Sequence, residues 1–571
     1  MLFLLVLLWT CPAWSGSDPH VDLTILHTND LHSHFDGNGP DRLYTQQTGD
    51  GDPVVGQYAR LATAIINARK EATGPLLVLD CGDFFGGTLY HLIAPRTDTA
   101  LNPELDFFKL IGLDYTTFGN HEFDPREEGL ATMLTKAQKG GVPFKILATN
   151  FLHNEKAPWA SLFGVSESSL VTPRAIRNFE MNGKKLKVGL LGVTGPDALL
   201  VSRSNRNFSH FVGFDDETNR AELGELYKLL NREVKDLREK EKVDVVIVIA
   251  HAGHPEDQKI AKNVEGIDVL IAGHTHDLYS TPEKIGRTWI AQTGEYAKNL
   301  GVLKFALAPH GLELANPGQT FIPINDQIEA NGEVTAAINQ YKGFLKTVLG
   351  PKLGYDPDLS VVTTYKDFPH SRRNNKELGA LVTGGIREQL ERKMGGPIDF
   401  YFSTMSLIRD GMTLYGSSTP YIFSDIFRIL SIGMDKEMLP GTPVVHFYLT
   451  KREVELLINF MEIYSMISKN FRPAFSPNLT YEERWWGIPM LNRLKNLSLN
   501  GKPYSEWPEL LHVATTNYVA SYVDKVGPMT YGLVHFVPKD ESGQPMDKVV
   551  QTPYKEYQLF TDFLLSKQVL R

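Results

Sequence analysis

Cysteine is almost absent from this sequence, which has two, Cys11 and Cys81. Cys11 falls in an N-terminal segment that we expect to be removed, so Cys81 would remain alone and no internal disulfide is expected. Such a chain must be held together by a packed core, and 571 residues are enough to bury a large one. A small scaffold stapled by disulfides is therefore excluded.

Basic residues are in the minority, with 58 lysines and arginines against 67 aspartates and glutamates, a formal charge of −9. General nucleic-acid binding needs a basic face, so this balance argues against it. Apolar residues make up 42% and aromatic residues 10% of the chain, which are ordinary globular values. Internal repeats and low-complexity tracts are lacking too, and the length suggests about two to four domains.

Long hydrophobic runs are also lacking. The run at residues 2–9 is too short to span a bilayer, and no other stretch approaches the roughly 18 apolar residues that a span needs. Pro12 ends this run, and the small residues in 13–15 favour a cleavage site, so we predict a secretory signal peptide over 1–15 and a secreted protein. The C-terminus has no hydrophobic tail, so no membrane anchor is expected. Sequons, which suit a secreted glycoprotein, occur at Asn207, Asn478 and Asn496.

Residues 21–323 alternate short apolar runs with longer amphipathic ones, a pattern typical of an α/β sandwich. Several of the short runs are apolar on both faces, as strands inside a covered sheet are. The strand candidates are 23–26, 76–79, 116–118, 144–148, 187–193, 243–249, 269–271 and 289–291. The helix candidates are 57–70, 126–139, 218–240 and 255–264.

A polar-faced helix is predicted over 333–349, and Gly350-Pro351 is expected to end it. We interpret it as an inter-domain linker. A second unit follows, which opens with a helix at 375–393 and continues with mixed strands and helices. The predicted parts are a signal peptide over 1–15, a catalytic domain over 20–325, the linker helix over 333–349 and a mixed α/β C-terminal domain over 360–571.

Polar side chains follow five successive predicted strands at their carboxyl ends, which is where ligands bind in open α/β sheets. Imidazole, carboxylate and amide groups, with no thiolate among them, suit a pair of borderline-hard divalent ions. The residues are Asp30, His32, Asp83, Asn120, His121, His251, His274 and His276. Eight such residues in these positions predict a metal site.

Spacing suggests how these ligands divide. Asp30 and His32 are two residues apart, and on an extended segment such a pair points to the same side, so it can chelate one ion. The same argument applies to His274 and His276. A carboxylate between two ions can bridge them, and Asp83 is the candidate. Two ions about 3.5–4 Å apart would clamp a phosphoryl group and activate water.

The motifs that carry these residues resemble the signature of the 5′-nucleotidase family of calcineurin-like metallophosphoesterases. In the family's order they are Leu23-Thr24-Ile25-Leu26-His27-Thr28-Asn29-Asp30-Leu31-His32, Leu79-Asp80-Cys81-Gly82-Asp83, Gly119-Asn120-His121-Glu122-Phe123-Asp124 and Ala272-Gly273-His274-Thr275-His276. The resemblance covers residues 20–325 and implies a four-layer α/β/β/α sandwich.

The resemblance also implies roles. It implies that one metal ion is bound by Asp30, His32, Asp83 and His276, and the other by Asp83, Asn120, His251 and His274. It implies further that His121 and Asp124 form a catalytic dyad. A protonated His121 could then protonate the leaving alkoxide, with Asp124 holding its tautomer.

In this family a C-terminal domain binds the substrate, through arginines and two aromatic rings that sandwich the nucleobase. The resemblance implies that the substrate-binding residues here are Arg372, Arg409, Tyr518 and Asp524. The sequence departs from the pattern because Ile432 falls near the first ring position and Thr404 replaces an asparagine. One missing ring would remove roughly 1–3 kcal/mol of base binding.

Three hypotheses follow. The first is a secreted phosphomonoesterase with two divalent ions (zinc, manganese or cobalt) that hydrolyses nucleoside 5′-monophosphates such as AMP in nucleotide catabolism. The second keeps the chemistry but changes the ester to a sugar phosphate, a phosphoglycerate-type ester, a nucleoside di- or triphosphate, a UDP-sugar or a 2′,3′-cyclic nucleotide. The third is a catalytically silent secreted binding protein, against which the complete ligand set and dyad argue. The family resemblance also implies a homodimer.

Overall fold

The computed structural model of the chain describes residues 22–37, 55–181, 184–370, 376–435, 437–467, 472–483, 494–529 and 535–571. The predicted signal peptide and Arg372 lie outside these residues, and so does the side chain of Asp524. Within the described ranges, no helix combines the length and the apolar character that crossing a membrane requires.

The first half of the chain alternates strands and helices. Its strands are β1 (Leu23–Thr28), β2 (Leu76–Asp80), β3 (Tyr115–Thr117), β4 (Lys145–Leu147), β5 (Phe151–Leu152), β6 (Val171–Thr172), β7 (Arg174–Met181), β8 (Lys184–Thr194), β9 (His210–Phe211), β10 (Phe214–Asp215), β11 (Arg220–Ala221), β12 (Val245–His251), β13 (Val269–Ala272), β14 (Glu283–Ile285), β15 (Thr288–Ala291), β16 (Asn299–Ala308), β17 (Gly311–Leu314) and β18 (Phe321–Pro323). Its helices are α1 (Tyr58–Glu71), α2 (Pro103–Leu110), α3 (Arg126–Lys139), α4 (Pro196–Ser202), α5 (Leu223–Glu239) and α6 (His254–Asn263).

The strands of this half form two large sheets. The first has the order β17-β16-β1-β2-β3-β4-β6, with β18 paired to β16. Its strands β1, β2, β3, β4 and β6 run parallel. The second has the order β14-β15-β13-β12-β8-β7, in which β15, β13, β12 and β8 run parallel. Parallel strands end at the same edge of a sheet, so the loops after β1, β2 and β3 meet, as do those after β12 and β13.

Three apolar cores define the layers. Between the two sheets, Leu23 and Ile25 of β1 pack in one cluster with Ile247 and Ile249 of β12. On the outer face of the first sheet lie α1, α2 and α3, and on the outer face of the second lie α5 and α6. Each fully buried side chain of this kind contributes about 1.5–3 kcal/mol of transfer free energy. The predicted α/β/β/α layering follows from this burial pattern.

Helix α5 begins later than predicted. The sequence favoured a helix from residue 218, but Arg220–Ala221 pair with Phe214–Asp215 as a short antiparallel ribbon, so the helix starts at Leu223. Its buried residues recur every three or four positions along the face that packs on the second sheet; they are Leu226, Leu230, Val234 and Leu237.

The linker helix is longer than predicted, and Gly350-Pro351 does not end it. Helix α7 (Gly332–Phe344) continues through a π-helical turn, Leu345–Leu349, into α8 (Gly350–Leu353). Pro351 lies in the first turn of α8, where its missing N–H costs nothing. The end comes at Gly354, whose φ of +85° is a left-handed conformation that glycine adopts without strain.

The second half of the chain mixes strands and helices. Its strands are β19 (Ser360–Thr364), β20 (Phe400–Thr404), β21 (Thr419–Ile422), β22 (Pro443–Thr450), β23 (Pro473–Phe475), β24 (Leu479–Glu483), β25 (Leu494–Leu499), β26 (Lys502–Pro503), β27 (Leu510–Thr516), β28 (Val550–Lys555) and β29 (Val569–Leu570). Its helices are α9 (Lys376–Met394), α10 (Phe423–Ile429), α11 (Lys451–Ile467), α12 (Asn517–Met529) and α13 (Glu556–Lys567).

This half has a core of its own, formed where β20, β22 and β27 pack against α11. It also contacts the first half next to the predicted metal site. The Arg428 guanidinium donates to the carbonyl of Gly37 at 3.0 Å, and the Tyr296 hydroxyl donates to the carbonyl of Arg409 at 3.2 Å. The domain boundaries themselves remain predictions, but these contacts bring Arg409 to the ends of β1 and β15.

Candidate metal centre

The carboxyl ends of the parallel strands gather the predicted ligands in one place. Within the part of the chain that the structure describes, three trios have ligand atoms close enough to hold a metal ion, and neighbouring trios share Asp83 or His32. The trios are Asp30, His32 and His276; His32, Asp83 and His121; and Asp83, His251 and His274. All seven side chains are buried or nearly so. The predicted histidine and aspartate ligands therefore form one continuous cluster.

The first trio centres on Asp30. Its Oδ1 atom lies 3.3 Å from Nε2 of His276 and 3.8 Å from Nε2 of His32. The two imidazole Nε2 atoms are 3.1 Å apart. Burial lowers the pKa of His32 well below its usual range, so this imidazole is neutral and keeps a lone pair at neutral pH. A neutral imidazole is the form that binds a metal ion.

Asp83 belongs to both the second and the third trio. Its Oδ2 atom lies 3.1 Å from Nε2 of His251 and 3.7 Å from Nε2 of His32, so the carboxylate stands between the two groups of ligands. On the far side of the His251 ring, Nδ1–H donates to the carbonyl of Cys81 at 2.7 Å. Asp83 is therefore placed as a bridging ligand would be.

The backbone at these ligands is not extended, contrary to the spacing argument. Asp30, His32, His274 and His276 all have positive φ angles, between +49° and +78°. Asp30 and His32 still share a trio, but His274 and His276 belong to different trios, so the two do not chelate one ion as a pair. Left-handed conformations cost free energy at non-glycine residues and concentrate at functional sites, where surrounding packing enforces them.

Glu122 holds two of the ligand loops together, a role that the sequence did not reveal. Its buried carboxylate accepts the backbone N–H groups of Asp83 and Phe85 at 3.0 and 3.1 Å, and that of Gly119 as well. Gly119 must lack a side chain because a Cβ there would collide with Asp83. These contacts fix the loop of Asp83 against the loop of Asn120.

His121 and Asp124 form a hydrogen-bonded pair at the rim of the cluster, with Nδ1 and Oδ2 2.6 Å apart. Burial alone would lower the pKa of His121, but the carboxylates of Asp124 and Asp83 outweigh it and raise the pKa above its ordinary value. The protonated imidazole is thereby favoured near neutral pH, with its Nε2–H available as a proton donor.

The residues fit a pair of divalent ions. The Oδ1 atom of Asn120 is buried and has no hydrogen-bond partner among the described residues, which is costly unless a ligand completes it. The donor set consists of imidazole nitrogens with carboxylate and amide oxygens, as zinc, manganese and cobalt accept. Asn120 would add to the ligands of Asp83 and His251, next to which its loop lies.

Of the predicted substrate-binding residues, Arg409 and Tyr518 lie in the described chain beside the cluster. Burial is the largest cause that lowers the pKa of His32, and the charge of Arg409 lies near enough to lower it further. Burial likewise raises the pKa of Tyr518 well above its usual range, with contributions from Tyr522 and Asp124. The Tyr518 and Tyr522 hydroxyls are 3.1 Å apart. Ile432 is half-buried.

Tyr296 is a further residue of the site that sequence reasoning missed. Its ring stacks on His34 with centroids 3.9 Å apart and lies 5.5 Å from His276 and 5.6 Å from His32. A signal was present, because Tyr296 follows the predicted strand 289–291 just as the ligands follow theirs.

Comparisons with known proteins agree with this geometry. The profile of the calcineurin-like phosphoesterase family matches residues 23–278. The Bacillus subtilis trifunctional nucleotide phosphoesterase protein YfkN is 28% identical over 66% of this chain and 24% of its own length. A Bos taurus 5′-nucleotidase is 29% identical over 60% of this chain and 56% of its own length.

A solved structure shares the fold across both halves. A 5′-nucleotidase precursor from Thermus thermophilus superimposes with a TM-score of 0.71 at 19% identity, covering 96% of this chain and 97% of that one. The sandwich, its sheet order and the His/Asp cluster thus define a calcineurin-like phosphoesterase domain at residues 23–278. Its sequence resembles those of 5′-nucleotidases and its fold matches that of one, as its motifs suggested. It matches little more than half the length of the bovine relative.

Proposed function

We propose that this chain is a two-metal phosphomonoesterase that hydrolyses nucleoside 5′-monophosphates to nucleoside and phosphate. The observation that carries the proposal is the position of Asp83, whose carboxylate belongs to two of the three trios of possible metal ligands. His121 and Asp124 form a hydrogen-bonded pair at the rim of the same cluster. Two divalent ions, when bound, would polarise the phosphate ester and activate water for attack on phosphorus. In relatives named as nucleotidases, the substrate is a nucleotide, which supports the same class here.

The protein's own groups would do the remaining work. His121, with its raised pKa, would donate the Nε2 proton to the leaving oxygen, and Asp124 would hold the ring by its Nδ1–H. Arg409 would bind the phosphate, since its charge lies near the cluster and an arginine can make paired hydrogen bonds to phosphate oxygens. The nucleoside would lie towards Tyr518, with Arg372 and Asp524 as further contacts proposed from the motif alone.

A second candidate, the same chemistry on a different phosphate ester, is favoured by one feature of the pocket. Tyr518 offers a ring to a base, but its hydroxyl is hydrogen-bonded to that of Tyr522. By the motif comparison, Ile432 falls near the position of the other ring. A base held on one face loses roughly 1–3 kcal/mol of stacking. A sugar phosphate needs no such clamp and would bind through hydroxyl groups.

We also propose that the protein is exported from the cell, which the N-terminal apolar run supports. We propose further that it forms a homodimer, which the family resemblance supports. Of the sequons, Asn207 and Asn496 are exposed, whereas the amide of Asn478 donates to the carbonyl of Asp399 at 2.7 Å. Glycosylation is therefore expected at the two exposed sites. Mass spectrometry of protein secreted by a eukaryotic host, with and without glycosidase, would test both export and glycosylation.

The main test is phosphate release from AMP by the purified full chain with Mn²⁺ or Zn²⁺, beside 4-nitrophenyl phosphate. EDTA-treated protein and an Asn120→Ala variant should be inactive, whereas Asn263→Ala, which alters an exposed amide on α6, should match the wild type. Turnover of the aryl phosphate alone would contradict the nucleotide substrate and favour the second candidate. No turnover of either ester by metal-loaded protein would contradict the enzymatic proposal altogether.

A further inference from the structure

The histidines of the cluster differ in the group that hydrogen-bonds to the ring nitrogen facing away from the proposed metal ions. His251 donates its Nδ1–H to the carbonyl of Cys81 at 2.7 Å, a backbone partner that no substitution removes. Nε2 of His251 is then the nitrogen left to bind an ion; it lies 3.1 Å from Oδ2 of Asp83 and has no hydrogen-bond partner among the described residues. For this ring, therefore, the backbone selects which nitrogen can bind an ion.

His274 is held by a side chain. Its Nε2 atom lies 3.1 Å from Oδ2 of Asp197, a residue 77 positions earlier in the sequence. An ionised carboxylate has no proton to donate, so the Asp197 carboxylate is the acceptor in this contact and the imidazole is the donor. With the proton on Nε2, the lone pair of His274 is on Nδ1.

The fold brings Asp197 to this position through a close approach. Asp197 lies in the first turn of α4, which follows directly on β8, the neighbour of β12 in the second sheet. Gly195 before it packs against the backbone of Ala252, and any Cβ at Gly195 would overlap Ala252. The neighbouring strand ends thus place the Asp197 carboxylate and the His274 ring side by side.

We propose that Asp197 is a positioning residue that fixes the tautomer and orientation of His274 for the metal ion bound with Asp83 and His251. The inference rests on the proposed metal-dependent function. Asp197 is outside the trio that contains His274, and its side chain is 47% exposed, so its role is to hold the imidazole. Removing an outer partner of a metal-binding histidine weakens metal affinity by about 10- to 100-fold.

The other ion provides an internal comparison. His276 has a carboxylate near its outer nitrogen as well, but Nδ1 of His276 and Oε2 of Glu295 are 3.8 Å apart, beyond hydrogen-bond distance. Glu295 instead accepts from Lys298 at 2.6 Å. Affinity at the site of His276 should therefore depend little on Glu295.

The test is a Mn²⁺ titration of the EDTA-stripped full chain, with free Mn²⁺ measured by electron paramagnetic resonance. We expect two binding steps in the wild type. Asp197→Ala should weaken one of them about 10- to 100-fold and leave the other unchanged. Asp197→Asn should stay within a few-fold of the wild type, because the amide oxygen can still accept the Nε2–H. Glu295→Gln should resemble the wild type in both steps.

Two results would overturn the assignment. Unchanged binding by Asp197→Ala would mean that the carboxylate does not position His274. A loss in Asp197→Asn as large as that in Asp197→Ala would mean that Asp197 binds the ion itself. Circular dichroism of each variant separates these results from misfolding. Because metal binding is measured without substrate, failure of the nucleotidase proposal would appear only in the AMP assay.

Discussion

Nδ1 of His121 and Oδ2 of Asp124 are 2.6 Å apart, one helical turn from each other and at the edge of the His/Asp cluster. The pair raises the pKa of His121 against the opposing effect of burial, with Asp83 contributing. A buried imidazole kept protonated in this way is suited to give its proton to a leaving group.

His121→Asn should therefore lower kcat for AMP by about 10²- to 10⁴-fold, the usual contribution of a general acid. The loss should be much smaller for 4-nitrophenyl phosphate, because 4-nitrophenolate leaves without needing a proton. Steady-state kinetics with both esters would check this. Equal losses on the two substrates would contradict the proton-donor role and point to ground-state binding. Asp124→Asn should show the same pattern at smaller size.

Gly119→Ala should destroy metal binding, because a methyl group there would displace the Asp83 carboxylate. Loss of activity and loss of both Mn²⁺ binding steps are expected together. The matched control is Gly224→Ala in the first turn of α5, where a Cβ would meet no other atom within 4 Å. A Gly119→Ala variant with normal Mn²⁺ affinity would show that the Asp83 loop can shift without cost.

Arg409→Ala should raise KM for AMP by roughly 10- to 100-fold, because a hydrogen bond to a charged group contributes about 1.5–3 kcal/mol of binding free energy. A smaller effect on kcat is expected, since the group binds phosphate in ground and transition state alike. Arg392→Ala, which removes a guanidinium paired with Glu388 on the exposed face of α9, is the control and should change neither constant. An unchanged KM for Arg409→Ala would exclude phosphate contact.

Ile432→Phe should improve AMP binding by restoring a ring opposite Tyr518. If both rings then hold the base, KM for AMP should fall by up to about tenfold, at the lower end of the 1–3 kcal/mol for base stacking. KM for ribose 5-phosphate should not change, since it has no base. A parallel fall for both substrates, or no change for AMP, would mean that the base does not lie near Ile432.

Glu556 gives the C-terminal half a pH-dependent stability. Burial raises its pKa from 4.5 to about 7, although the Tyr401 hydroxyl donates to it and opposes the rise. Between these two values the folded chain binds more protons than the unfolded chain, so this part of the stability is complete below about pH 4.5 and is lost as pH rises through 7. Glu556→Gln should flatten the fall in melting temperature between pH 5 and 8. A slope equal to that of the wild type would refute this.

The sequence predicted eight of the eighteen strands and four of the six helices that the structure describes in the first half of the chain. Every predicted strand of that half has an observed counterpart within a few residues, because strands buried on both faces leave a continuous apolar run. Helices α2 and α4 were missed because, at eight and seven residues, they are too short for a repeating apolar face to stand out in the sequence. The prediction that Gly350-Pro351 ends the linker helix was wrong. Proline is tolerated in the first turn of a helix, and the sequence did not show that a new helical segment begins at Gly350.

The sequence by itself determined the chemistry of the site: which side chains follow the strands, and that they are imidazoles, carboxylates and amides. Only the tertiary structure decided how they are grouped. His274 and His276 belong to different trios although they are two residues apart, and their left-handed backbone conformations are not revealed by spacing along the chain. The contacts of Glu122 with the Asp83 loop and of Asp197 with His274 join residues distant in sequence. Such contacts depend on the packing of whole loops and sheets, and local residue patterns do not record that packing.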